Sequence, residues 1–253
     1  MTKLYEDHAD LYDLAFDWDV DEEADWLRAC LGPNCRTVLE PGCGSGRFVE
    51  ALARRGLSVL GLDLSPAMVE AARRRLRRSG VEAEVSRADI RDFALGRVFD
   101  GAVCPINTLA HLTSSELACH LDRMAQHLRP GARYLVQLDL HDGTGPEELR
   151  PSRWEIERDE TRLRITWATE QIDVEAGWQR QRSRIEILAG SRAGEVVEEV
   201  HRMTVWTPGR WAGLIADSGF DLRAVYDGDR QDRPHVEAGR AGRLLWHELI
   251  LDK

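Results

Sequence analysis

The sequence predicts an α/β fold built on a doubly wound, mostly parallel sheet, and three observations carry that prediction. From Arg36 onward, short β-branched or Leu-rich runs alternate with amphipathic stretches at the spacing of βαβ units. Helix-start and helix-stop residues fall in the gaps between those runs. A glycine turn, Gly42-Cys43-Gly44-Ser45-Gly46, directly follows the first run and opens an amphipathic stretch, which is where folds of this class take their ligands.

In chain order, strands are expected at Thr37 to Glu40, Ser58 to Asp63, Glu82 to Arg87, Phe99 to Cys104 and Ala132 to Leu140. Ser65-Pro66 supplies a cap acceptor and a preset φ for a helix that runs to Ser79 and stops at Gly80. Thr113-Ser114-Ser115-Glu116 fits a capping box, opening a helix that ends before Pro130-Gly131. Ahead of the sheet, Leu4 to Leu31 reads as one or two aromatic-rich helices with a turn near Asp17 to Asp21. After Leu140 the texture changes to period-2 alternation at Trp154 to Glu157, Arg162 to Ala168, Gln179 to Leu188 and Glu195 to Thr207, which suits antiparallel strands. Thr207-Pro208 opens a last helix ending near Gly219, followed by strands at Phe220 to Tyr226 and Leu244 to Leu251. The chain thus divides into an N-terminal helical lid (1–35), a core (36–140 and 207–253) with a seven-stranded sheet whose last strand is antiparallel, and an antiparallel β insertion after the fifth strand (141–206). That insertion is expected to cover a substrate or to make a homodimer contact.

Composition narrows the function. The 253 residues are 43% hydrophobic with a net charge of −10, so a partner gripped through phosphate neutralisation, such as long nucleic acid, is not expected. No apolar run of membrane-spanning length occurs, and the first thirty residues are strongly acidic, so cytoplasmic residence away from membranes is the expectation. Cys30, Cys35, Cys43, Cys104 and Cys119 form no C-x-x-C pair, which indicates neither a zinc site nor a disulfide framework; no metal is expected. Lys3 and Lys253 are the only lysines, so single arginines carry little weight as functional signals. Arg73, Arg74, Arg75, Arg77 and Arg78 are expected to be a solvated helix face, and Arg180, Arg182 and Arg184 an exposed strand face.

The chemistry concentrates in Val38-Leu39-Glu40-Pro41-Gly42-Cys43-Gly44-Ser45-Gly46-Arg47-Phe48. Glycines there allow sharp turning and close approach of backbone N–H groups to a ligand. Asp63, after the next strand, stands where a carboxylate can hold both hydroxyls of a ribose. The dinucleotide spacing G-x-G-x-x-G is not met, because Arg47 occupies the third glycine position, and no Gly-Lys-Ser/Thr follows to make a phosphate loop.

The stretch resembles motif I of class I S-adenosylmethionine-dependent methyltransferases, with Glu40 as the acid ahead of G-x-G-x-G. The resemblance continues through Gly61-Leu62-Asp63-Leu64-Ser65-Pro66-Ala67-Met68, Arg87-Ala88-Asp89-Ile90, Phe99-Asp100, Cys104-Pro105-Ile106-Asn107 and Arg129-Pro130-Gly131. It implies a Rossmann-like core with S-adenosylmethionine as cofactor and S-adenosylhomocysteine as product. Gly42, Cys43 and Gly44 would lie under the methionyl part and Asp63 would hold the ribose. Leu64 and Met68 would flank the adenine, Asp89 and Ile90 would meet its amino edge and face, and Cys104 would lie nearby.

Asn107-Thr108-Leu109-Ala110-His111-Leu112 is similar to the corresponding loop of bacterial small-molecule N-methyltransferases, including amino-sugar N,N-dimethyltransferases. That likeness implies a small-molecule acceptor, most simply an amine, with His111 as base. Asn107, Asp139 and His141, at the carboxyl ends of the fourth and fifth strands, are acceptor-contact candidates. Tyr12, in Leu11-Tyr12-Asp13-Leu14, resembles an N-terminal Tyr-Asp element that closes over the cofactor, and packing on the core is its plainer use. O-methylation of a small metabolite and a non-catalytic cofactor-binding subunit are the competing readings.

Overall fold

The structure is a computed structural model that describes residues 3–142, 150–228, 230 and 232–252. Five strands, β1 (Thr37–Pro41), β2 (Ser58–Asp63), β3 (Glu84–Arg87), β4 (Phe99–Cys104) and β5 (Leu128–Leu140), pair in parallel. Three C-terminal strands, β10 (Phe220–Tyr226), β11 (His235–Val236) and β12 (Gly242–Leu251), join them antiparallel. The order is β3-β2-β1-β4-β5-β12-β10-β11. The sheet therefore has eight strands where seven were expected; the addition, β11, is two residues long and too short to leave an alternation in the sequence. The fifth strand also starts at Leu128, earlier than Ala132, because a register shift between the Phe99 and Gly101 pairings takes up Pro130-Gly131.

Helices form where the local chemistry places their ends. In α5 (Pro66–Ser79) the Ser65 hydroxyl accepts from the Met68 N–H, and Gly80 closes the helix in the left-handed region. In α6 (Ser114–His127) both arms of the Thr113–Glu116 capping box are made. The helices α4 (Arg47–Arg54) and α7 (Pro208–Ala216) complete the layers, and Thr207 caps the latter. Among the described residues no helix is long and apolar enough to cross a membrane.

The N-terminal segment splits in use. The helix α3 (Asp21–Leu31) buries Ala24, Leu27 and Leu31 in the core beside Val38, Phe48 and Trp246. The shorter α1 (Lys3–Glu6) and α2 (Ala9–Ala15) instead pack on the insertion, a separate sheet of order β6-β7-β8-β9. Its strands are β6 (Ser152–Arg158), β7 (Thr161–Asp173), β8 (Trp178–Ala189) and β9 (Val196–Thr204). Leu4, Leu11, Leu14 and Phe16 share one apolar cluster with Leu163, Ile165, Ile185 and Ile187. The first two helices and the insertion are thus one cover with one core.

Arg75 fastens that cover to the sheet. Its guanidinium reaches Asp13 (2.8 Å) and Asp17 (2.6 Å) of the cover, and Arg158 of β6 meets the same two carboxylates at 3.2 and 3.0 Å. The basic run of α5 is therefore not uniformly solvated, because α2 lies over it and draws Arg75 into a cluster of carboxylates. Burial alone would raise the Asp13 carboxyl; Arg75, with Ser45 and Arg158, outweighs it and holds the group below its usual value. A carboxylate held low stabilises the fold above its unfolded pKa, and that contribution is lost as pH falls through the folded value. Arg75→Ala is expected to cost about 3 kcal/mol, as does breaking a buried ion pair, and to move the onset of acid unfolding to higher pH. Thermal melts between pH 3 and 7 check this, and an unchanged melting temperature at pH 7 would refute it.

Candidate functional site

At the carboxyl ends of the parallel strands lies a pocket of about 570 Å³, within the range of small-molecule sites. Its floor comes from the turns after β1 (Gly42, Gly44), β2 (Asp63, Leu64) and β3 (Asp89, Ile90), with Met68 of α5 beside them. Asn107, Thr108 and His111 line the side after β4, and Asp139 of β5 joins them. The cover supplies the roof: Tyr5, Tyr12, Phe16 and Trp18 from the N-terminal segment, Trp154, Trp167, Gln181 and Met203 from the insertion.

The glycine turn is built by close approach. Gly42 has φ +71°, and a Cβ there would collide with the Thr108 methyl group. Gly42→Ala is accordingly expected to push the turn and the loop after β4 apart and to weaken ligand binding at least about tenfold. Calorimetric titration with S-adenosylhomocysteine checks it, and wild-type affinity would contradict it. Asp63 ties the turn to the second strand: Oδ2 accepts the Gly44 N–H (2.8 Å) and Oδ1 the Ser65 N–H (2.9 Å). Burial holds this carboxyl above its usual value, and the Ser65, Gly44 and Leu64 N–H groups offset only part of that rise. Asp89 is chelated by Arg91, whose hydrogen bonds are the main cause holding that carboxyl below its usual value.

After β4 the backbone is strained. Ile106 and Asn107 both lie in the left-handed region, at φ +55° and +56°, and for a β-branched residue that conformation is costly. Buried Gln137 fixes it by accepting the Ile106 N–H at 2.7 Å. Asn107 turns its amide onto Asp139, accepting the backbone N–H at 3.1 Å. The Thr108–His111 turn of 3-10 helix then points His111 into the pocket, edge-on to the Tyr5 ring at 5.9 Å. The imidazole is exposed to the cavity, yet the surrounding protein and neighbouring His201 push it down to about 4. Tyr12 stacks on Phe16 at 4.5 Å and stands over Gly44; burial pushes its hydroxyl up to about 12, so it stays protonated.

Residues 38–131 match a family model described as "Methyltransferase domain". That stretch is similar to a methyltransferase domain. A curated relative, the dTDP-3-amino-3,4,6-trideoxy-alpha-D-glucopyranose N,N-dimethyltransferase of Streptomyces venezuelae, is 34% identical over 143 residues, covering 53% of this chain and 58% of the relative. The chain thus matches little more than half the length of that protein. Among solved structures, DesVI of Streptomyces venezuelae superposes with a TM-score of 0.80 at 22% identity, covering 97% of this chain and 98% of that one. An amino pentose methyltransferase from Micromonospora echinaspora, solved with S-adenosylmethionine bound, gives 0.75 at 21%, covering 95% and 96%. The fold is the Rossmann-like methyltransferase fold.

S-adenosylmethionine is bound in the amino pentose methyltransferase structure, and the pocket described here fits it. Glu40, buried behind the glycine turn and raised by burial, has an Oε2 atom with no hydrogen-bond partner among the described residues; a cationic ammonium group would complement it. The bare backbone of Gly42 and Gly44 beside Tyr12, the Asp63 carboxylate and the apolar slot of Leu64, Met68 and Ile90 suit the remaining parts of the molecule.

Eleven expected residues come together on the wall of the pocket: Tyr12, Gly42, Gly44, Asp63, Leu64, Met68, Asp89, Ile90, Asn107, His111 and Asp139. Glu40, Cys43, Cys104 and His141 do not reach it. Cys104 is fully buried, donates to the Pro41 carbonyl at 3.5 Å, and has its thiol pushed up to about 12 by burial. His141 is buried, its backbone N–H bonded to the Trp206 carbonyl at 2.8 Å. Arg180 and Arg182 share Glu170, and Arg184 meets Glu198 and Glu186, leaving an exposed, internally paired strand face. Tyr5, Thr108, Gln181 and Met203 were not singled out; the period-2 pattern marks an inner face for Gln181 and Met203, but only tertiary packing turns that face to the pocket.

Proposed function

We propose that the protein transfers a methyl group from S-adenosylmethionine to an amine nitrogen of a small molecule, with amino sugars as the first acceptors to test. The observation that carries this reading is a neutral imidazole, His111, standing in the cavity opposite the glycine turn under an aromatic roof. When bound, the cofactor supplies an electrophilic methyl on a sulfonium, and transfer is an in-line displacement that needs positioning and exclusion of water.

In this reading Gly42 and Gly44 hold the methionyl end, with Glu40 behind their turn and off the pocket wall, Asp63 holds the ribose, and Leu64, Met68, Asp89 and Ile90 the adenine. Tyr12 closes over the reaction centre with a hydroxyl that donates. His111 accepts a hydrogen bond from the acceptor and orients its lone pair. An imidazole held near 4 is too weak a base to take the proton of a hydroxyl, whereas an amine needs only to be neutral when it attacks. That contrast favours nitrogen over oxygen. Asp139, fixed by Asn107, faces the acceptor as a carboxylate contact, and the insertion with α1 and α2 covers it.

The test is formation of S-adenosylhomocysteine with paired acceptors that differ only in carrying an amine or a hydroxyl. Turnover confined to the amines is expected; turnover confined to the hydroxyls would overturn the nitrogen assignment, and none with either, despite cofactor binding, would favour a non-catalytic binding role.

A further inference from the structure

The loop after β3 meets the adenine in the function proposed above, and α6 grips that loop at two points one helical turn apart. Glu116 accepts from Arg91 at 2.5 Å, and the same guanidinium chelates Asp89 at 2.6 to 3.0 Å. Four residues on, along the same helix face, His120 Nδ1 lies 2.8 Å from the Ile90 carbonyl and Nε2 lies 2.8 Å from the Tyr134 hydroxyl. His120 and Tyr134 have no solvent exposure. A carbonyl can only accept, so Nδ1 carries the proton; a neutral imidazole has one N–H, so Nε2 accepts from Tyr134. Every polar atom of the pair is thereby used in a single direction.

The consequence for Asp89 is geometric. A carboxylate offers roughly four lone-pair directions. The Arg91 backbone N–H bonds Oδ1, Nη2 bonds Oδ2, and the single Nε hydrogen is shared between the two oxygens at 2.9 and 3.0 Å, so the capacity of Oδ2 left for an incoming N–H is aimed by a guanidinium that Glu116 anchors. The Ile90 carbonyl, held by His120, is kept from competing for the same incoming N–H. The cap of α6 at Thr113 follows His111 by two residues, so one rigid helix sets both the adenine loop and the end of the loop that carries the candidate acceptor contact.

We propose that Glu116 and His120 are positioning residues that hold Asp89 and Ile90 in register to read the amino edge of adenine. The inference rests on the S-adenosylmethionine reading of the pocket. Its test is calorimetric titration of the full chain with S-adenosylhomocysteine and with S-inosylhomocysteine, in which an oxo group replaces the amino group. Wild type is compared with Glu116→Gln, which keeps the capping box but not the charge, with His120→Phe, and with His120→Asn, whose amide can still donate to Ile90.

Wild type is expected to prefer the adenosyl ligand by about tenfold or more. His120→Phe and Glu116→Gln are expected to weaken S-adenosylhomocysteine about tenfold and to shrink the preference to within about threefold, while His120→Asn restores most of it. Variants that lose affinity for both ligands equally and keep the preference would overturn the proposal, since a general loss of structure does that. Equal binding of the two ligands by wild type would overturn it as well, with the cofactor reading left standing. Binding of neither would sink the cofactor reading and this inference together. Should His120→Phe fail to fold, as thermal melting would show, Glu116→Gln decides alone.

Discussion

Asp63→Ala is expected to weaken S-adenosylhomocysteine binding by about 100-fold or more. The carboxylate holds the Gly44 and Ser65 N–H groups at 2.8 and 2.9 Å and, in the proposed function, the ribose hydroxyls as well. Hydrogen bonds to a charged group contribute about 1.5–3 kcal/mol each, and about 2.7 kcal/mol is 100-fold. The glycine turn loses its tie to the second strand at the same time, so the loss falls on both the shape of the turn and the contacts. Asp63→Asn, which keeps one acceptor oxygen, is expected to fall between. Calorimetry paired with thermal melting separates ligand loss from unfolding, and a dissociation constant within threefold of wild type for the alanine variant would remove Asp63 from the site.

His111→Ala is expected to lower kcat about 100-fold, as loss of a group that orients the attacking atom does, with affinity for S-adenosylhomocysteine unchanged. The imidazole lines the side of the pocket after β4, where the proposed function puts the acceptor, and is neutral from about pH 5 upward, being held down to about 4. Lowering pH from 8 to 6 therefore does not protonate it. Over that interval the rate is expected to follow the acceptor amine's own ionisation, and an acceptor of lower amine pKa should shift the acidic limb by the same amount. A limb near the ordinary imidazole value of about 6.5 that disappears in His111→Gln would show instead that His111 stores the proton.

Local chemistry made the parallel sheet and the glycine-turn half of the pocket legible. The glycine turn, Asp63, the Ser65-Pro66 cap and the Thr113–Glu116 box each depend on residues a few positions apart, and all occur at the expected places. What stayed hidden joins distant segments. Arg75 meets Asp13 and Asp17 across about sixty positions of chain, and Trp154 donates to Ala15 at 2.7 Å across a longer interval. In a run of five arginines nothing local distinguishes Arg75 from its neighbours; α2 lying over it does. The same holds for His120, which reads as one more polar residue on an amphipathic helix until its two partners come from different strands and loops. The N-terminal helices and the insertion each read as separate appendages, and their shared apolar cluster appears only when both are folded on one another.

The most direct measurement is mass spectrometry of a panel of amino sugars and simple amines incubated with the protein and S-adenosylmethionine, with S-adenosylhomocysteine quantified in parallel. At least one amine is expected to gain a methyl group on nitrogen, one equivalent of S-adenosylhomocysteine appearing for each methyl transferred. Methylation on oxygen alone, or tight S-adenosylmethionine binding with no methylated product from any acceptor, would contradict amine methyl transfer as the function of this pocket.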